Sequence, residues 1–401
     1  MGSVRDVAEE MIVRQLIRQN MVRLSRQCFG CILSVLISSM VAPAYAQTTA
    51  RTAGEVQEAD RVNNWTVGLA GGPIEGAFIW YAADLATALN DGDNLRILPV
   101  ITSGAGDNIK DLIYLKGIDV ALTNTDALEL IQRTTKIANL KNRIQYISPL
   151  FITEFHVFVR PEIKTLQDLA GKKVGMHTPG GAASVTGPLV FERLGIPVTA
   201  VFVNNSVGYE KMKSGEFAGI LHTVAKPNDL FKKIKPGDGF HFLPVPYSEK
   251  FEDLYLPASI TSEDYPHLIN SEEAFETLAV TTVLAVYNWQ KTNDRFRRVS
   301  RFIEYFFNDI EKLYHPPFSP KWKEVNLAGK VPGWSRYWYA TEMLGKRAAS
   351  VARDRPQVDS AAEREALFRE FNEWGKDRAA PANLDVYFRE FLEWRKQRQA
   401  R

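Results

Sequence analysis

The sequence predicts an α/β protein built on an open, largely parallel sheet, and three observations carry this. From Trp65 to Thr223, short apolar, β-branched runs alternate with stretches whose apolar residues recur every three or four positions, the pattern of strands feeding helices. Successive strands end in small, polar loops, at 71–76, 102–106, 123–126 and 177–184; in an open parallel sheet such loops gather at the carboxyl edge, where ligands bind. The chain of 401 residues, 45% hydrophobic and 24% charged, has the balance of a soluble globular protein with two or three domain-sized units.

The elements follow in order. WTVGLA (65–70) reads as a strand, broken by Gly71-Gly72-Pro73. Phe78, Tyr81, Ala82, Leu85, Ala86 and Leu89 then keep helical spacing. A strand that enters a helix through glycines leaves free backbone N–H groups at the helix start, and these donors suit an anionic or polar ligand. The plain alternative is a tight turn with no ligand. After the Asp91–Asn94 turn comes LRILPVI (95–101), a second strand. A helix from Asp107 to Leu115 turns Ile109, Leu112 and Ile113 inward, and Asp119–Leu122 is a third strand. EFHVFVRP (154–161) is a longer strand closed by Pro161, and Leu166–Gly171 is one helical turn. KKVGM (172–176), a helix from Val185 to Leu194, VTAVFV (198–203) and AGILHT (218–223) continue the alternation. The proline- and glycine-bearing segment 236–250 is a connection. Leu278–Tyr287 reads as a buried strand, and Arg295–Asn308 as a helix with Phe296, Val299, Phe302, Ile303 and Phe306 on one side. Residues 47–62 are small, polar and charged, the make-up of a flexible leader.

Residues 22–46 have the build of a secretory signal. Arg23 and Arg26 form a basic start, Cys28–Val41 a mostly apolar stretch short for a membrane span, and Ala44-Tyr45-Ala46 fits a small-x-small cleavage pattern before Gln47. The competing reading is an N-terminal membrane anchor. On the signal reading, Met21 is the expected start of the precursor. Cys28 and Cys31 have C-x-x-C spacing, but their apolar setting argues against a redox pair, and no cysteine stands where a lipoprotein signal needs one. Export without a cysteine in the mature chain suits a bacterial periplasm. Residues 47–401 hold 44 basic and 44 acidic side chains, so no basic excess points to nucleic acid.

Taken together, GLAGGPIEGAFIWYAADLATALN (68–90), TSGAGDNIKDLIYLKGIDVALTNTDAL (102–128), the run from Phe155 to Ile196, AGILHTVAKPNDLF (218–231), LPASITSEDYP (256–266) and HLINSEEAFETLAVTTVLAVYN (267–288) resemble the TAXI proteins, solute-binding subunits of some tripartite (TRAP) transporters. The resemblance runs from about Trp65 to about Leu344. It implies a two-lobe periplasmic-binding type II fold with a cleft between the lobes. Lobe one would join 65–150 to 255–345, lobe two would be 151–254, and the crossovers near Phe151–Phe158 and Leu254–Ile260 would be hinges. The family implies a non-enzymatic role: a small organic solute, a carboxylate such as an amino or keto acid, is captured and passed to a TRAP-type membrane permease.

Carried over position by position, the resemblance makes Gly71 and Gly72 backbone donors of the first loop and places Ser103 and Gly104 in the second. Asn124 and Asp126 end the third strand. Thr178, Pro179, Gly180 and Gly181 form the lobe-two proline-glycine loop, and His222 and Thr223 end a lobe-two strand. Glu75 stands where the family carries aromatic residues, and a carboxylate there would repel an acidic solute unless paired. Lys226 is a candidate partner for Glu75 or for a ligand carboxylate. These departures leave open a cleft that binds other solutes, or a binding fold turned to sensing or scaffolding.

No metal or other cofactor is expected, because no two of the six histidines share a helix at ligand spacing. Ser184 and Ser206 show no G-x-S-x-G elbow, and carboxylates near loops such as Asp107 are common without catalysis. His156, inside an apolar strand, is expected to be a hydrogen-bonded structural residue. His177, beside a glycine loop, is either a ligand contact or a loop support. Trp334, Tyr337, Trp338 and Tyr339 are expected to pack in the core. Residues 351–401 form a helical extension holding two near-copies, EALFREFNEWGK (365–376) and DVYFREFLEWRK (385–396). In each copy Phe368, Phe371 and Trp374, or Phe388, Phe391 and Trp394, make an aromatic stripe. Either the stripes pack on each other or on lobe one, or they present docking helices to a protein partner.

Overall fold

The computed structural model describes residues 51–354 apart from 236, 238 and 271, and residues 361–376, 378 and 384–399. The signal reading of 22–46, the Met21 start and the two cysteines lie outside the described residues. From Ala53 the expected leader is instead a helix, α1 (Ala53–Asn64), with no buried residue. Thr52 and Glu55 cap it reciprocally: each backbone N–H donates to the other's side chain, at 2.6 and 3.2 Å.

The centre of the fold is one ten-stranded sheet in the order β2-β1-β3-β10-β4-β7-β5-β6, with β8 (His241–Phe242) paired to β4 and β9 to β10. Its first half comprises β1 (Thr66–Ala70), β2 (Arg96–Val100) and β3 (Val120–Asn124), mutually parallel. They are linked by α2 (Phe78–Leu89) and α3 (Ala105–Tyr114), and α4 (Thr125–Thr134) follows β3 directly. All six residues of the predicted α2 stripe are buried. The far half comprises β5 (Lys173–Gly175), β6 (Thr199–Val201) and β7 (Gly219–Val224), also parallel, with α6 (Ala182–Leu194) between β5 and β6; a short α5 (Leu140–Arg143) precedes β4.

Two long antiparallel strands join the halves. β4 (Ile144–Val159) pairs with β10 (Ala274–Tyr287) and then, from Glu154 to Val159, with β7. β10 pairs with β3, with β4, and from Ala274 to Ala279 with β9 (Leu256–Thr261). Phe151 therefore lies within a continuous strand. The apolar interior follows the same division. One cluster gathers Leu69, Leu122, Leu284, Phe302 and Trp322 around the first half. Two others, around Phe155 with Leu221 and around Phe158 with Phe231, serve the far half. The fold is α/β, a mixed ten-stranded sheet with helices packed around it and additional helices at the C-terminus.

Trp338 stacks on Phe296 at 5.2 Å, and Tyr337 is fully buried, so the 334–339 aromatics pack as core. Beyond them, Ala361–Gly375 and Leu384–Gln399 are helices with an aromatic cluster of their own. Trp374, Tyr387 and Phe391 are its buried members, and Arg395 pairs with Glu370 at 2.9 Å. Phe368 departs from its expected stripe and is 64% exposed.

Candidate functional site

Three of the strand-to-helix loops meet at one place. α2, α3 and α6 begin at Ala77, Gly104 and Gly181, and none of these residues supplies a side-chain cap. The first N–H groups of a helix have no intrahelical acceptor. The amides of Phe78, Ala105 and Ala182 accordingly have no acceptor among the described residues. These starts line a cavity of about 440 Å³, its open mouth included. Its remaining polar wall is Thr153 from β4, His177 after β5, and His222 and Thr223 from β7. Pro73, Ala183 and Val224 add apolar surface.

The loops meet through main chain. Gly106 N–H donates to the Gly180 carbonyl at 3.0 Å. Gly104 and Gly180 have φ of 120° and 84°, which side-chain-bearing residues rarely adopt. A Cβ on Gly180 would lie 2.6 Å from Asp107 Oδ2, and one on Gly104 3.0 Å from the Gly180 oxygen. Beside this contact α4 and α6 form a polar seam. Thr186 Oγ1 donates to Asp126 Oδ2 at 2.6 Å, Arg133 pairs with Glu192 at 2.5 Å, and Arg193 lies 3.4 Å from Glu129. Arg193 also pairs with Asp253.

The histidines of the wall are held neutral. His222 is 7% exposed; burial, then the neighbouring His177 and His156, hold its pKa well below the usual value. Its Nδ1 has no hydrogen-bond partner, and neither has Thr223 Oγ1. His177 stacks on His222 at 5.7 Å, and burial lowers its pKa against an opposing pull from Glu75. His177 has φ of 61°, a strained backbone for a residue with a Cβ, and strain of this kind clusters at ligand sites. His156 lies behind them, fully buried. Its Nδ1 faces the carbonyls of Glu154 and His222, so that nitrogen carries the proton, and Nε2 accepts from Tyr265 Oη at 3.0 Å. The structural role expected for His156 is thus what its contacts supply.

Of the candidate residues read from the sequence, Gly104, His177, Gly181, His222 and Thr223 line the cavity. The others stand elsewhere. Gly71 donates to Val100, and Gly72 accepts from Thr102. Glu75 is exposed and outside the lining. Ser103 packs beside Gly180, which lines a separate hollow with Pro179. Asn124 is buried between Thr153 and Thr282, each at 3.5 Å. Asp126 is engaged by Thr186 and Tyr255, and Thr178 by the His177 ring at 3.0 Å. Lys226, offered as a partner for Glu75 or for a ligand, pairs instead with Asp264 at 2.8 Å. Phe78, Thr153 and Ala182 line the cavity without having been singled out. The uncapped helix starts were the available signal for Phe78 and Ala182, whereas nothing in the pattern around Thr153 marks it.

Among the described residues, no three His, Cys, Asp or Glu side chains are grouped to hold a metal, and no helix is long and apolar enough to cross a membrane.

Solved structures match much of the chain at low identity. A structure titled as a periplasmic transporter is 11% identical, with a TM-score of 0.42, covering 73% of this chain and 97% of that one. The periplasmic VFT2 domain of Bordetella pertussis BvgS is 11% identical, with a TM-score of 0.37 and coverage of 65% and 96%. The substrate binding protein of an amino acid ABC transporter is 12% identical, with a TM-score of 0.35 and coverage of 62% and 95%. Residues 69–296, which contain every residue of the cavity wall, match the model of the NMT1-like family. The chain belongs to the NMT1-like family.

Proposed function

We propose that this chain is a periplasmic solute-binding protein of the TAXI type. In this reading it is exported by the signal at 22–46, captures a small organic solute bearing a carboxylate, and delivers it to a TRAP-type permease without catalysing a reaction. The observation that carries the reading is the convergence of three uncapped helix starts on one cavity between the two halves of the sheet. Fixed N–H donors and aligned helix dipoles stabilise a bound anion. Lobe one would comprise 65–150 and 255–345 and lobe two 151–254, closing on the solute through β4 and the segment near β9. Closure is then driven by tighter binding in the closed state.

The test is a thermal-shift screen of carboxylates, amino acids and aromatic acids on the mature chain. A solute at about 100 times its Kd adds roughly 2.7 kcal/mol to stability and raises the melting temperature. No shift with any compound would sink solute capture. It would favour the second reading, a binding fold turned to scaffolding, for which the tail helices with their own aromatic cluster speak.

A further inference from the structure

The cavity wall is unusual in what it pairs with the helix starts. Among the described residues that line it there is no Lys, Arg, Asp or Glu. Its cationic character comes from main-chain dipoles alone, each helix start carrying about half a positive charge. Two buried side chains add hydrogen-bonding capacity that nothing else uses: His222 Nδ1 and Thr223 Oγ1, in residues 7% and 4% exposed. A buried polar atom without a partner costs free energy, so both atoms favour a ligand that pairs with them. The rest of the wall is apolar, with Pro73, Phe78, Ala183 and Val224 in it.

The geometry points to a compact monocarboxylate with no amino group as the solute of this site. The inference rests on the solute-capture reading and narrows it. One carboxylate is met by the amides of Phe78, Ala105 and Ala182 with His222 and Thr223, and a short carbon chain lies against the apolar wall. An α-ammonium group would meet three positive helix ends and no carboxylate. The candidate anions are all committed or outside: Asp126 bonds Thr186 and Tyr255, Glu154 accepts from Lys226 N–H at 3.0 Å, and Glu75 lies outside the lining. A second carboxylate would lose its hydration against an apolar wall with no basic side chain to replace it.

The experiment is calorimetric titration of the mature chain with three acids sharing a four-carbon skeleton: butyrate, 2-aminobutyrate and succinate. The expected result is butyrate binding at least about tenfold more tightly than either of the others, a difference of roughly 1.4 kcal/mol. Equal or tighter binding of 2-aminobutyrate or succinate overturns the inference and leaves solute capture standing. Binding of none of the three, with no hit in the wider screen, overturns both. Two variants test the donors. Proline is accepted at a first helical position and lacks the N–H, and Gly181 before it is already extended, with ψ of 162°. Ala182→Pro and Thr223→Val should each weaken butyrate about tenfold, with the circular dichroism spectrum retained. Unchanged butyrate affinity in both folded variants overturns the assignment of these donors.

Discussion

Asp126 shows how a single buried carboxyl sets a pH dependence for the whole chain. It stands in the first turn of α4, where a helix dipole favours its charge, yet burial dominates and raises its pKa to about 7. Oδ2 accepts from Thr186 and Tyr255, and Oδ1 has no partner. With the folded pKa above the unfolded one, the native state holds the proton more tightly. The stabilisation is complete below about pH 4 and is lost as pH rises to about 7. Asp126→Asn keeps an acceptor for both hydroxyls and removes the charge. It should melt higher than the parent at pH 8, by up to about 4 kcal/mol of stability, with the gap closing towards pH 4; thermal denaturation across that range checks it. The histidines slope the other way. His156 is lowered to about 4, chiefly by burial, so its contribution is present above pH 6.5 and falls away as pH drops towards 4. The Asn variant should therefore show more of the histidine slope, still opposed by Glu154, whose carboxyl is also raised by burial. Strand-end position drew attention to Asp126 in the sequence. Polarity at a strand end does not tell whether a side chain faces a solute or a neighbouring helix, and here α6 claims it.

At the scale of elements, the contact between the second and fourth glycine loops is the most demanding piece of geometry. Gly180→Ala would put a side chain on a left-handed backbone and against Asp107, a cost of about 1–3 kcal/mol. A lower melting temperature and weaker solute binding are the expected readouts. The C-terminal helices should behave differently. Their aromatic cluster is separate from the large core, whereas the helix before them, Trp338–Asp354, packs on Asp294–Asp309 and ties Arg347 to Glu311 at 3.1 Å. Truncation after Asp354 should leave solute affinity unchanged and the melting temperature within about 2 °C, since few contacts with the core are removed. Elements with local periodicity, such as β1 with α2, were legible in the sequence because spacing alone decides which side is buried. The first ten residues of β4 were not. Pro149 and Ser148 interrupt the strand pattern, and the fold accepts the proline opposite Val283, next to a register shift in the β4–β10 ladder. The uncapped helix starts were legible as loops, but which of them converge depends on pairings between strands far apart in sequence.

For the whole molecule, β4 and β10 make the two halves share their hydrogen-bonded framework. Melting one half would strip ladder partners from the other, so calorimetry of the ligand-free chain should show one transition for residues 61–354, with near-ultraviolet and far-ultraviolet signals lost together. Two well-separated transitions would show that the halves are energetically independent. The shared strands also govern how the gene tolerates rearrangement. A chain split at residue 150 severs β4 in mid-ladder, so neither fragment holds a complete sheet, and the two are expected to regain structure only when mixed. A circular permutant opened between residues 246 and 248, outside every strand, interrupts no ladder and should remain folded.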